Sequence, residues 1–310
     1  MGFDRQSGIL SPTGAEINLY VTQLPAPRGV VQVNHGLAEH AARYARFAEV
    51  LRSYGLAVYA HDHRGHGHTK APGAPLGSFG AEPAAQKVIA DVAAVHDLIA
   101  TEHPGVPVIV FGHSMGSLIA MNFVLAHSHR IAGAAIWNGN FSAGLLGRLA
   151  QAVLAWEKFR LGSDVPSRIL PKLTFDAWAK QATDGRTQFD WLSRDHAEVD
   201  KYIADPLCGW NASVGMWKTV FDFVFAGAND RNFTVIRRDL PFNLVGGGGD
   251  PESEFGKTVQ HLESRMRAMG FSNLVTRIYG ETRHESLNEI NRDIIMKDFA
   301  EWAVRAVSPR

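Results

Sequence analysis

Val108-Ile109-Val110-Phe111-Gly112-His113-Ser114-Met115-Gly116-Ser117 is the stretch whose reading decides the fold. Residues 106–111 form a very apolar run behind the punctuation of Pro104-Gly105, as expected of a strand buried on both faces. The pattern then changes, and residues 115–127 read as a helix. Between them stands G-x-S-x-G over Gly112 to Gly116. A bare pentapeptide of this kind is common. A buried strand running into it and a helix running out make it the strand–turn–helix of a nucleophile elbow, with Ser114 at the tip. Gly112 and Gly116 supply the room such a tight turn needs. The helix N-terminus at Ser114 favours developing negative charge.

Working outward, strand and helix signals alternate on both sides of the elbow. Residues 16–23 read as a short edge strand. Residues 29–33 are a β-branched strand closed by Asn34-His35-Gly36, and residues 56–60 are the next strand. Residues 42–54 and 84–101 carry apolar side chains at helical spacing. After a strand over 131–137 the rhythm stops, and residues 139–239 show helical and irregular signals only. It resumes with a strand at 241–245, a helix at 255–269, a strand at 274–279 and a helix at 287–307. The expected fold class is α/β: a mostly parallel central sheet flanked by helices, with an inserted helical cap. The core is expected over residues 1–138 and 240–310, the cap over 139–239. The run Gly246 to Gly249 reads as a flexible strand-end loop.

Composition narrows the class further. The chain has 310 residues, with 31 basic and 31 acidic side chains and no net charge, which carries no signature for nucleic acid. Cys208 is the single cysteine, so no disulfide framework forms within the chain. No basic segment followed by an apolar run opens the sequence, Gln6 stands where a myristoylation site requires Ser or Thr, and no apolar stretch is long enough to span a bilayer. A cytoplasmic location is expected.

A serine hydroxyl needs a base, and the base a carboxylate that sets its tautomer. In a fold of this kind the order is Ser, acid, His. Beyond residue 239 only His261 and His284 remain. His261 falls inside a predicted helix, whereas His284 follows the strand at 274–279, at the strand end where open α/β sheets place their sites. Asp250 follows the strand at 241–245 and is the expected acid, with Glu252 and Glu254 as nearby alternatives. The amide of Met115 is expected to form one half of an oxyanion hole and that of Leu37 the other, with Gly36 as the alternative.

Four motifs carry a family resemblance: His35-Gly36-Leu37-Ala38-Glu39-His40, Asp62-His63-Arg64-Gly65-His66-Gly67, Gly112-His113-Ser114-Met115-Gly116 and Arg283-His284-Glu285-Ser286-Leu287-Asn288-Glu289. Together they resemble the monoacylglycerol lipase and lysophospholipase branch of the α/β-hydrolases, which stands beside the serine aminopeptidase-type hydrolases. The resemblance implies a Ser-His-Asp esterase on Ser114, His284 and Asp250, with Leu37 and Met115 as oxyanion donors and no cofactor. Ser117 stands where the family usually has a further glycine, and the glycine run before Asp250 is longer than usual.

His61, His63, His66 and His68 crowd one loop, but Gly65 replaces the aspartate that a metal-binding H-x-H-x-D-H would need, so a bracing loop with Arg64 and Asp62 paired is expected and no metal. Cys208 reads as inert. Leu145, Leu146, Leu149, Val153 and Trp156 share one helix face, as do Trp217, Phe221 and Phe225. Such stripes pack on a core, line an acyl tunnel or touch lipid aggregates. Trp156, Trp217 and Phe221 are the expected substrate contacts. The expected substrate is a lipid-like ester such as a monoacylglycerol. The alternatives are a lysophospholipid, a short-chain ester, a peptide amino terminus (with Glu157 and Asp222 as candidate acids) or a binding module without catalysis.

Overall fold

The computed structural model describes residues 2–142, 144–182 and 185–308. One eight-stranded sheet runs in the order β1-β2-β4-β3-β5-β6-β7-β8. Its strands are β1 (Arg5–Leu10), β2 (Glu16–Thr22), β3 (Gly29–Asn34), β4 (Leu56–His61), β5 (Val108–His113), β6 (Gly133–Trp137), β7 (Phe242–Gly247) and β8 (Leu274–Tyr279). From β4 to β8 every pairing is parallel, while β1 and β2 pair antiparallel at one end. The strand expected at the edge, β2, is therefore covered by β1. The segment forming β1 alternates half-buried and exposed residues and includes Gly8, too weak an apolar signal to read as a strand.

Alternate side chains of β5 explain its unbroken apolar run. Ile109 and Phe111 pack with Val31, Val33, Trp137 and the buried faces of α1 (Ala45–Ser53) and α10 (Arg292–Val307). Val108 and Val110 point the other way, onto α2 (Ala84–Glu102) and α3 (Met115–His127). Both faces of the sheet are thus roofed by helices, as parallel strands require. Helix α3 is apolar nearly all round because α8 (Val214–Ala228) covers the side that the sheet leaves open.

Between β6 and β7 lie α4 (Leu145–Leu161), α5 (Leu170–Leu173), α6 (Phe175–Ala179), α7 (His196–Ala204) and α8. Leu154, Leu170, Trp217 and Phe223 of this segment share one apolar cluster with α3 and β7. The first stripe does not pack as a unit: Leu145 is 74% exposed, and Leu149, Trp156 and Phe159 are exposed too. The side chain of Leu146 lies outside the described residues.

The glycine run is not a flexible loop. Gly246 and Gly247 belong to β7. A Cβ on Gly247 would sit 2.2 Å from the Thr282 carbonyl oxygen, and one on Gly248 2.2 Å from that of Gly280. The glycines let the end of β7 approach the loop that carries His284. That loop is then fixed by Gly248 N–H donating to Tyr279 O and Gly249 N–H to Thr282 O, both at 2.9 Å.

Candidate active site

The C-terminal ends of β3, β5, β6, β7 and β8 converge at one rim of the sheet, and each delivers a side chain or amide to one place. Ser114 sits at the β5–α3 turn with φ 54° and ψ −125°. Such a backbone costs on the order of 1–3 kcal/mol for a non-glycine residue and survives only where the surroundings dictate it. They do: Ser114 N–H donates to Trp137 O at 3.0 Å, and Ser117 donates back to the Ser114 carbonyl from its amide at 2.8 Å and its hydroxyl at 2.7 Å. A Cβ on Gly112 would meet Gly116 O at 2.1 Å, and one on Gly116 would meet Asn34 O at 2.1 Å. Both glycines are sterically required.

His284 follows β8 and is buried. Its Nδ1 lies 3.1 Å from each carboxylate oxygen of Asp250, so Nδ1–H donates to the carboxylate and Nε2 is left as the basic nitrogen. Asp250 also accepts from Asn138 Nδ2 at 2.9 Å and from the Glu252 amide at 3.0 Å. Burial alone would raise its pKa, but the His284 charge and these donors hold it below the ordinary carboxylate range. Ser114 and His284 line one cavity of about 80 Å³ with Gly36, Leu37, Met115, Trp191, Trp217 and Glu252.

The loop after β3 carries the second candidate oxyanion donor. Gly36 N–H donates to Glu39 Oε1 at 2.6 Å and is thereby spent, so of the two expected donors Leu37 is the remaining candidate. Glu39 is held by Tyr44 Oη–H at 2.9 Å and Arg43 at 2.6 Å, and Arg43 bridges on to Glu285 beside His284. Burial opposes a charged Glu39, but Arg43 and His113 outweigh it and keep the carboxylate ionised well below its usual range. His113, inside the pentapeptide, donates from Nε2 to His284 O at 2.8 Å. Burial would lower its basicity, yet Glu39 raises it above the ordinary value. One charged network therefore ties the β3 loop, the elbow and the His284 loop together.

Glu39, Arg43, Tyr44, Asn138 and Glu285 escape a reading based on the chemistry of single residues. Glu39 and Glu285 do lie inside quoted motifs, and that was their only signal. Asn138 had none. Of the expected substrate contacts, Trp217 lines the cavity. Trp156 is exposed on α4, and Phe221 is half-buried against the core. Glu157 accepts from Ser167 and the Arg168 amide, and Asp222 pairs with Lys218, so neither faces Ser114.

In the histidine loop, His61, His63 and His66 are buried and His68 is exposed. Arg64 pairs not with Asp62 but with Asp91 of α2, at 2.7 Å, and the Thr13 hydroxyl, which accepts from Arg64 and donates to Asp91, helps to offset the desolvation of this buried pair. Asp62 instead takes the Ala41 and His68 amides. Among the described residues, the donor groups that converge are His40, Asp205 and Cys208, and Asp250, Glu252 and His284, not the histidine loop. Burial pushes the Cys208 thiol up, away from reactivity.

A mostly parallel sheet roofed on both faces, with a strained serine at the β5–α3 turn and a His–Asp pair at the ends of the last two strands, defines an α/β-hydrolase. The family model described as serine aminopeptidase, S33, matches residues 25–291, and the chain belongs to that family. Among curated relatives it is similar to human (Homo sapiens) monoglyceride lipase, 30% identical over 230 residues that cover 72% of this chain and 66% of that one. The chain thus spans just under two thirds of that relative's length. Its fold matches a thermostable carboxyl esterase from Bacillus coagulans, with TM-score 0.88, 22% identity and coverage of 99% of this chain and 100% of that one. A lipase in its open form gives TM-score 0.84 at 26% identity, covering 98% of this chain and 99% of that one. No helix among the described residues is long and apolar enough to cross a membrane.

Proposed function

We propose that the protein hydrolyses carboxylic esters through Ser114, His284 and Asp250, with monoacylglycerol-like lipid esters as substrates. The observation that carries this reading is the strained Ser114 sharing a cavity with a His284 whose Nδ1 is held by Asp250. Ser114 Oγ attacks the ester carbonyl while its proton passes to His284 Nε2. The carbonyl oxygen becomes an oxyanion received by the Leu37 and Met115 amides. The tetrahedral intermediate expels the alcohol, which takes the proton from His284. Water, deprotonated by the same imidazole, then cleaves the acyl-enzyme and restores Ser114. A fluorophosphonate probe is expected to label the native protein at Ser114 and to leave Ser114→Ala unlabelled. Labelling that survives the substitution defeats the proposal.

The substrate half of the reading rests on the similarity to monoglyceride lipase and on two adjoining spaces. The space beside Ser114 is small, about 80 Å³. Phe175, Trp191 and Tyr202 border both it and a larger cavity of about 770 Å³. An acyl chain passing this aromatic wall gains roughly 0.8 kcal/mol per buried CH₂. Arg168 and Lys172 on the wall of the larger cavity favour a second reading, a lysophospholipid with its phosphate there. The exposed apolar face of α4 is where a lipid aggregate would be met. We expect kcat/KM to rise along p-nitrophenyl esters from C2 to C12, and monoacylglycerol to be cleaved faster than lysophosphatidylcholine. A steep fall beyond C4 makes the protein a short-chain esterase, and the reverse order of the two lipids makes it a lysophospholipase.

A further inference from the structure

The chemistry above makes no use of Glu252, yet this residue lines the catalytic cavity beside Ser114, Met115 and His284. One oxygen of Asp250, one of Glu252 and a ring nitrogen of His284 lie within 4.8 Å of one another. Asp250 and His284 satisfy each other; Glu252 is the odd group. Its Oε2 is shielded from solvent and has no hydrogen-bond partner among the described residues. Unpaired buried polar atoms are costly and uncommon, and a ligand that completes them is one reason they persist. Among the described residues no cation offsets this carboxyl group. Burial, then the carboxylates of Asp250 and Glu254, push its pKa well above the ordinary value. A carboxyl group accepts a hydrogen bond in either form and also donates one when protonated.

Its place in the cavity says which half of the substrate it meets. In the proposed reaction the carbonyl oxygen points to the Leu37 and Met115 amides. The leaving oxygen must lie against His284, which protonates it. Glu252 belongs to the loop that carries Asp250 to His284, and its own amide holds Asp250 Oδ1. It therefore borders the alcohol side. We infer that Glu252 selects the alcohol half of the substrate, its carboxyl group hydrogen-bonding a free hydroxyl of a polyol leaving group such as a glyceryl ester. This rests on the ester-hydrolase reading and sharpens it. A protonated amine is the competing occupant, but an aminopeptidase substrate carries its amine on the acyl side.

The test compares 1-monooctanoylglycerol with ethyl octanoate, whose leaving alcohol has no second hydroxyl. The ratio of their kcat/KM values is expected to fall about tenfold in Glu252→Leu, the size of one lost hydrogen bond, and to be largely kept in Glu252→Gln. An unchanged ratio, or equal losses on both esters, overturns the assignment. So does cleavage of alanyl p-nitroanilide that Glu252→Leu abolishes. A second measurement needs neither a variant nor turnover. By calorimetry the native protein is expected to bind the ether 1-O-octylglycerol at least tenfold more tightly than octyl ethyl ether, and equal affinities overturn the assignment. Native protein that cleaves neither ester refutes the ester-hydrolase reading alone, and the ether pair still decides the role of Glu252.

Discussion

Asp250→Asn is expected to lower kcat by about 10⁴-fold while the protein stays folded. The ionised carboxylate accepts on both oxygens, so it binds only the His284 tautomer that carries its proton on Nδ1. It also stabilises the imidazolium formed when Ser114 gives up its proton. An amide at position 250 presents an N–H₂ to Nδ1 as readily as an oxygen. That favours the tautomer with the proton on Nε2, which has no lone pair to accept the Ser114 proton. The two other donors to Asp250, Asn138 Nδ2 and the Glu252 amide, are part of why the fold should hold. Circular dichroism and thermal melting check the fold, and single-turnover kinetics on a p-nitrophenyl ester check the loss. Near-normal turnover in Asp250→Asn, with the loss appearing instead in Glu252→Gln, would move the acid to Glu252.

The second large effect is on stability. Lowering the pH from 7 to 5 is expected to destabilise the protein by several kcal/mol. His35, His61, His63 and His66 are fully buried. Burial pushes His35 and His66 down to about 3 and His61 to about 4, and His63 goes well below its ordinary value. His35 shows why it stays neutral: its Nδ1 donates to Gly36 O at 2.8 Å and its Nε2 accepts from His63 N–H at 3.0 Å, which fixes one tautomer. In the unfolded chain these rings titrate near about 6.5. Below that pH the unfolded state binds protons that the folded state refuses. Stability is therefore full above about 6.5 and is lost as the pH falls toward the depressed values, at up to about 1.4 kcal/mol per pH unit for each ring. Against a typical total of about 5–15 kcal/mol this is large. His113 acts with the opposite sign, its raised basicity adding stability that is lost on going alkaline. Urea midpoints at pH 7 and pH 5 test the balance, and equal midpoints would show that the histidine cluster opens to water.

The parallel sheet, the elbow and the placement of Ser114, Asp250 and His284 were legible in the chain because each depends on local pattern. A β-branched run, a pair of glycines about a serine and a histidine just past a strand need no knowledge of distant residues. The edge strand β1 was missed because its half-exposed, glycine-containing segment carries little periodicity and is held by pairing with β2. The glycine run was misread because what Gly247, Gly248 and Gly249 accommodate, the carbonyls of residues 280–283, is remote in sequence. Trp156 and Trp217 each belong to an apolar helical stripe, and only packing against α3 buries Trp217 at the cavity and leaves Trp156 outside.

The sequence by itself determined the class of sheet, the order of the three candidate catalytic residues and the family, because short-range periodicity and motif spacing survive without tertiary contacts. Only the tertiary structure decided that the Gly36 amide is taken by Glu39, which acid bonds His284 and which is left unpaired, and how small the space beside Ser114 is. Those properties belong to groups brought together from β3, β5, β6, β7 and β8. Their hydrogen bonds and burial arise from chain segments more than a hundred residues apart: Asn138 reaches Asp250, and His113 reaches the His284 carbonyl.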